Sequence, residues 1–308
     1  MYRHLICAVI IFALVVSAGV SCRAGEARSL IDQMGREVTV PENPGRIVSL
    51  APNITEILFA LDAGDRVVGV TVFSDYPEAA ASIPVVGTYI TPNLEVIVAL
   101  KPDLVIATAD GDKQEPLAIL ETFGIPVYVI NPKGVDDVID TVIEIGELVG
   151  EGEEARKIAD EMQGVIRDVE ERVKDLEPVS VLMALDIEPV ITVGTEAFAH
   201  ELIERAGGVN AAGSRKIRYP RISLEAVIAA APEVIIIPSM SFEADTERAL
   251  AFFAAYPTIP AVMTGRIHVI EADIVTRPGP RIVEGLFNLA ALLHPDAFKD
   301  MPDDESET

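Results

Sequence analysis

Asn93-Leu94-Glu95-Val96-Ile97-Val98-Ala99-Leu100-Lys101-Pro102-Asp103-Leu104-Val105-Ile106-Ala107 recurs, without a gap, as Ser223-Leu224-Glu225-Ala226-Val227-Ile228-Ala229-Ala230-Ala231-Pro232-Glu233-Val234-Ile235-Ile236-Ile237. The copies keep Leu, Glu, Ala, Pro and Ile at matching places, and most other pairs exchange one apolar residue for another. Each copy predicts a short helix followed by a buried strand. Asn93 or Ser223 can accept from the free backbone N–H groups at the helix start. A proline then ends the helix, and a run rich in Val and Ile forms the strand. Glu95 and Glu225 occupy the same place in each copy, 130 positions apart.

Outward from the first copy, residues 46–150 read as alternating strands and helices. Residues 46–50 predict a strand. Asn53 can cap the next helix, with Glu56 completing a capping box. Ile54, Ile57, Leu58 and Leu61 give that helix an apolar face, and Gly64 is placed to stop it. A strand over 66–72 leads into Phe73-Ser74-Asp75-Tyr76-Pro77 and then Gly87-Thr88-Tyr89. Past the first copy come a helix over 116–123, a strand over 126–130 and a helix over 135–149.

Residues 151–177 carry one apolar stripe at three- and four-residue spacing. A helix of roughly 25 residues would extend about 37 Å, enough to cross between two lobes. The alternation then resumes over 178–298 around the second copy. Glu201-Leu202-Ile203 and Ala206-Gly207 parallel Glu56-Ile57-Leu58 and Ala63-Gly64. The expected architecture is α/β: two doubly wound lobes with mostly parallel sheets, joined by one long helix. Ligands of such sheets bind outside the carboxyl ends of the strands, so facing lobes would enclose a cleft. Residues 23–45 read as a polar lead-in, and 299–308 as an acidic, disordered tail.

Composition narrows the partners. The formal charge of −25 argues against nucleic acid and anionic lipid, which select basic surfaces. Residues 1–22 read as an export signal: Arg3 and His4 precede an apolar run too short for a membrane span. The segment resembles a lipoprotein signal in which Cys22 is lipidated, although Gly19 stands where that motif usually carries Leu. Ordinary cleavage between Ser21 and Ala27 is the alternative. With Cys7 inside the signal, no disulfide framework or cysteine chemistry is expected in the folded body.

Catalytic signatures are thin. His200, His268 and His294 are scattered, without metal-ligand spacing, and no nucleophile elbow, P-loop or dinucleotide fingerprint occurs. Neither a catalytic residue nor a bound metal or intrinsic cofactor is expected. An exported two-lobed α/β enzyme remains as an alternative.

The segments 46–56 (Arg46-Ile47-Val48-Ser49-Leu50-Ala51-Pro52-Asn53-Ile54-Thr55-Glu56), Ser74-Asp75-Tyr76-Pro77, 93–107 and Arg277-Pro278-Gly279-Pro280-Arg281-Ile282 resemble the helical-backbone (class III) substrate-binding proteins of ABC importers. The likeness spans about residues 44–295. It is nearest to the cobalamin binders, with ferric-siderophore and haem binders as relatives. The resemblance implies a monomeric, extracytoplasmic receptor that captures a small-molecule metal complex and delivers it to a permease and its ATPase. Glu95 and Glu225 match the family's permease-docking pair, though an acidic first turn is also favoured by the helix dipole alone. Tyr76, Tyr89 and Tyr219 would wall a corrinoid, or a phenolate oxygen would ligate haem iron, with Pro52 and Asn53 on the floor and Arg277 meeting ligand amides, phosphate or siderophore oxygens. Arg218, Arg221 and Arg281 are further candidates, Arg281 being equally suited to a solvated surface position.

Overall fold

The computed structural model describes residues 27–109, 114–213, 215–239 and 243–299. The expected signal, Cys22 and the tail from residue 300 onward lie outside them. The lead-in is more ordered than its polarity suggests: β1 (Ala27–Ile31) and β2 (Glu37–Pro41) pair as an antiparallel hairpin. Val38 and Val40 alternate into the core, and this period of two is what a half-buried strand requires.

The N-terminal lobe contains β3 (Ile47–Ser49), α1 (Pro52–Ala60), β4 (Val67–Gly69), α2 (Leu94–Ala99), β5 (Leu104–Thr108), α3 (Gln114–Thr122), β6 (Val127–Ile130) and α4 (Val135–Val149). Its sheet runs in the order β4-β3-β5-β6, with every pairing parallel. The chain moves outward from β3 to β4 and returns on the other side as β5. The crevice between the carboxyl ends of β3 and β5 is therefore a topological switch point. Gly150 ends α4 with φ 83°, a conformation that carries no Cβ penalty in glycine.

Next comes α5 (Gly152–Val173), whose Ala155, Ala159, Met162, Ile166, Val169 and Val173 are buried. The C-terminal lobe follows with β7 (Val179–Ile187), β8 (Val190–Thr192), α6 (Phe198–Arg205), β9 (Gly208–Asn210), β10 (Arg221–Ile222), α7 (Leu224–Ala230), β11 (Val234–Ser239), α8 (Glu243–Ala254), α9 (Pro260–Met263), β12 (Ile267–Glu271), α10 (Ala272–Thr276) and α11 (Ile282–Leu293). The parallel series β9-β7-β11-β12 repeats the N-terminal order. Antiparallel β8 and β10 are added at one edge.

One continuous apolar core runs from Val38 and Ile57, through Met162 and Ile166 of α5, to Leu286 and Leu293. Separate clusters cover the far face of each sheet. The connecting helix is thus part of a shared core between the lobes. α5 is thereby a spine packed against both lobes.

Four local readings are corrected. Asn53 does not cap α1: Ala51 stands at the N-cap and Pro52 in the first turn, where a fixed φ and a missing N–H are both tolerated. Glu56 makes no capping box either; its carboxylate bonds arginines of the other lobe. Gly64 does not stop α1, because Asp62 takes the left-handed turn at φ 54° while the Ala63 N–H closes on the Leu58 carbonyl. The strand expected over 66–72 is three residues long, since residues 70–72 leave the sheet to bond residues 84–87.

Candidate functional site

The repeated helix starts are alike in detail. Val96 N–H donates to Asn93 Oδ1 at 3.2 Å, and Ala226 N–H donates to Ser223 Oγ at 3.3 Å. Ile97 and Val227 are buried beneath them, and Glu95 and Glu225 are exposed. The Glu225 carboxyl is held below its usual range by its own backbone N–H and by the Ser223 hydroxyl. Each helix ends in a non-glycine residue at positive φ just before the proline, Lys101 at 49° and Ala231 at 46°.

A buried chain of hydroxyls aims the loop after β4. Ser49 Oγ meets Thr55 Oγ1 at 2.8 Å, Thr55 Oγ1 donates to Ser74 Oγ at 3.0 Å, and Ser74 meets Thr71 at 3.1 Å. Ser74 is thereby anchored to α1, and its neighbours Phe73, Asp75 and Tyr76 are displayed outward. The Phe73 and Tyr89 rings lie 5.9 Å apart at 55°, within the range for favourable aromatic pairs. Phe73, Tyr76 and Tyr89 are 42, 46 and 40 % exposed, a large apolar surface left uncovered on one wall. Phe73 was missed as a site residue, although it opens the quoted loop.

Tyr219 stands on the other lobe, 51 % exposed. It precedes Ser223 by the same four residues by which Tyr89 precedes Asn93, so the two tyrosines hold equivalent places before the repeated helices. The 215–220 segment is pinned to the chain after β8. Thr192, Gly194 and Thr195 N–H groups donate to the Pro220, Arg218 and Arg215 carbonyls. A Cβ on Gly194 would lie 2.0 Å from the Ile217 carbonyl oxygen, so this approach requires glycine.

Beneath the wall the lobes meet through charge. Glu56, on α1 with its side chain 3 % exposed, accepts from Arg277 at 3.2 Å and from Arg281 at 2.9 Å. Arg277 also bonds Asp75 at 2.8 Å and Asp273 at 2.8 Å, and Arg281 bonds Glu271 at 3.0 Å. Asn53 Nδ2 donates to the Pro278 carbonyl at 3.3 Å. The Arg281 guanidinium covers the Tyr76 ring, 3.9 Å from its centroid.

Burial opposes ionisation of Asp75, but the hydrogen bond and charge of Arg277 outweigh it and its pKa falls. Asp273 goes the other way: burial, with the charges of Asp75 and Glu271, raises it despite Arg277. Arg277 and Arg281 are both raised, because their carboxylate partners outweigh burial.

The structure therefore gathers Asn53, Tyr76 and Arg277 at one interlobe floor, with Pro52 beside them at the start of α1. It sets Tyr89 on the N-terminal wall and Tyr219 on the C-terminal lobe. Arg281 lies in the floor and not in open solvent. Among residues not singled out as site residues, Glu56 is the most consequential. Its signal was the one charged residue of α1, set among the apolar face of Ile54, Ile57 and Leu58. The histidines are dispersed, and among the described residues no group of three His, Cys, Asp or Glu could hold a metal ion.

Two doubly wound lobes sharing one core through α5, with exposed aromatic side chains on both, have the architecture of a two-lobed solute-binding protein. Known proteins agree. The model of the periplasmic binding protein family matches residues 47–274. An uncharacterized ABC transporter substrate-binding lipoprotein of Bacillus subtilis is 31 % identical over 87 % of this chain and 86 % of its own length. The vitamin B12-binding protein of Vibrio cholerae is 30 % identical over 80 % of this chain and 88 % of its own. The crystal structure of that Vibrio cholerae protein superposes with a TM-score of 0.74, covering 84 % of this chain and all (100 %) of the other. A periplasmic heme-binding protein from Roseiflexus gives 0.73 at 27 % identity, covering 82 % and 98 %. This chain belongs to the periplasmic binding protein family, and it is a substrate-binding protein of the ABC-transporter type.

Proposed function

We propose that this protein captures a corrinoid metal complex between its lobes, as a monomer, and delivers it unchanged to the permease and ATPase of an ABC importer. The observation that carries this reading is the half-exposed Phe73–Tyr76–Tyr89 surface, with Tyr219 at the equivalent place on the other lobe. Aromatic faces suit a macrocycle, and phenol groups suit its polar rim. Pro52 and Asn53 line the floor, and Arg277 braces it through its carboxylates. The name of the Vibrio cholerae relative supports the corrinoid; the Roseiflexus relative favours haem as the second ligand, whose iron a tyrosine oxygen can bind. A ferric siderophore is the third.

Absorption and calorimetric titration with cyanocobalamin, haemin and a ferric siderophore separates these ligands. Cyanocobalamin is expected to bind with a Kd below about 10 µM, roughly −7 kcal/mol. Tighter binding of haemin would transfer the role to haem. Failure of every complex would remove the metal-complex reading, and chemical change of the bound ligand would favour an enzyme. Glu95 and Glu225 serve as the docking pair, since both are exposed at matched places on two lobes. Replacing both with Ala should abolish uptake and leave Kd unaltered; a weakened Kd refutes docking. Export through residues 1–22 and lipidation at Cys22 complete the proposal. Fatty-acid labelling lost on Cys22→Ala is its test.

A further inference from the structure

The two repeated walls differ in charge. Val85, Val86, Thr88 and Thr91 on the N-terminal wall hold the places of Arg215, Lys216, Arg218 and Arg221 on the C-terminal one. Such clustering is conspicuous in a chain with 24 basic and 49 acidic residues. Arg215, Lys216 and Arg221 are exposed and enter none of the ion pairs among the described residues. The backbone beneath them is fixed by the Thr192, Gly194 and Thr195 N–H bonds. At the floor the opposite holds: Arg277 and Arg281 face Glu56, Asp75, Glu271 and Asp273, so their charge is already spent within the protein.

We propose that the 215–221 segment is an anion-reading arm that takes a phosphate or carboxylate on the periphery of the metal complex, fixing the complex in one orientation across the cleft. This rests on the receptor reading above and names the ligand class: a macrocycle with an anionic edge. A fixed backbone presenting several cations gives charge-assisted bonds to such an edge without ordering a loop.

The test pairs probes that differ in the charge of that edge; dicyanocobinamide also lacks the ribose and benzimidazole of cyanocobalamin, a difference common to the native and variant proteins. Cyanocobalamin carries a phosphodiester that dicyanocobinamide lacks, and haemin carries carboxylates that its dimethyl ester lacks. For whichever pair binds, the exposed-residue triple variant Arg215→Gln/Lys216→Gln/Arg221→Gln should lose about tenfold or more for the anionic member and little for the other. Arg215→Lys/Arg221→Lys should keep the preference. Affinity for the anionic member should fall with salt in the native protein and much less in the triple variant. Equal losses for both members, or no loss, overturn the arm. So does a variant whose only defect is adhesion to phosphatidylglycerol vesicles, which would make the segment a membrane contact. If the native protein binds none of the four probes, the macrocycle reading fails first and the arm with it.

Discussion

Each lobe holds the other by the same device, built to different strengths. Glu56 on α1 reaches Arg281 at the start of α11 and Arg277 at the end of α10. Its repeat-equivalent, Glu201 on α6, accepts from the Val135 N–H at the start of α4 at 2.9 Å and from Arg205 at 2.8 Å. Arg205 extends the second clasp to Asp136 of α4 and Glu170 of α5. The pattern is reciprocal: the first helix of each lobe supplies a carboxylate to the N-terminal end of the other lobe's last long helix. The Glu56 clasp is nearly closed to water, whereas the Glu201 side chain is 32 % exposed. A duplicated fold can thus keep the geometry of a contact while burial changes its energetic weight.

The largest effect is expected at the buried clasp. Glu56→Ala leaves two guanidinium groups poorly compensated and should cost about 3–5 kcal/mol of stability, measured by denaturant unfolding. It should also weaken ligand binding by releasing Arg281 from the face of Tyr76. A loss under about 1 kcal/mol would mean that the floor is solvated and that the two clasps do not differ as described.

Glu201→Ala sharpens the comparison from the exposed side. It removes a bond to a helix N-terminus and one arm of a screened network, so about 1–2 kcal/mol is expected. The loss should shrink in high salt more than the Glu56 loss does. Equal losses at the two sites would break the ranking.

The smallest effect lies within the floor. Asp75 and Asp273 share Arg277 yet should titrate on opposite sides of the ordinary value of 3.8, as read by carboxyl-carbon NMR. For Asp75, depressed in the fold, the stabilising contribution is complete above 3.8 and fades as pH falls through its lowered pKa. Solvent screening keeps it small, because that side chain is 67 % exposed. For Asp273 the sign reverses: the fold holds its proton longer, so its contribution declines as pH rises from 3.8 through the raised pKa. Both carboxyls titrating together below 3.8 would show that burial around Asp273 has been overstated.

Much of the fold was legible because its signals are local. The α4 boundaries at Val135 and Val149 agree with the apolar spacing and with Gly150 beyond it. The stripe from Ala155 to Val173 revealed α5, since one helical face meets a core along its whole length. The β1–β2 hairpin was missed because its alternation is short and sits among polar residues. β9 and β10 were missed for a related reason, being three and two residues long.

For the candidate site, the resemblance supplied the tyrosines and the Glu95–Glu225 pair as candidates, and the repeat alone placed the glutamates at equivalent points. The role of Glu56 was not readable. Within its own helix it fits a capping box, a purely local pattern; its real partners lie 221 and 225 residues away. Sequence by itself determined the duplicated α/β plan and the spine, because periodicity and chain breakers act over one or two turns. Only the tertiary structure decided which arginines are neutralised, which cations remain exposed and how the lobes clasp. Those outcomes depend on burial and distance between residues that chain order leaves far apart.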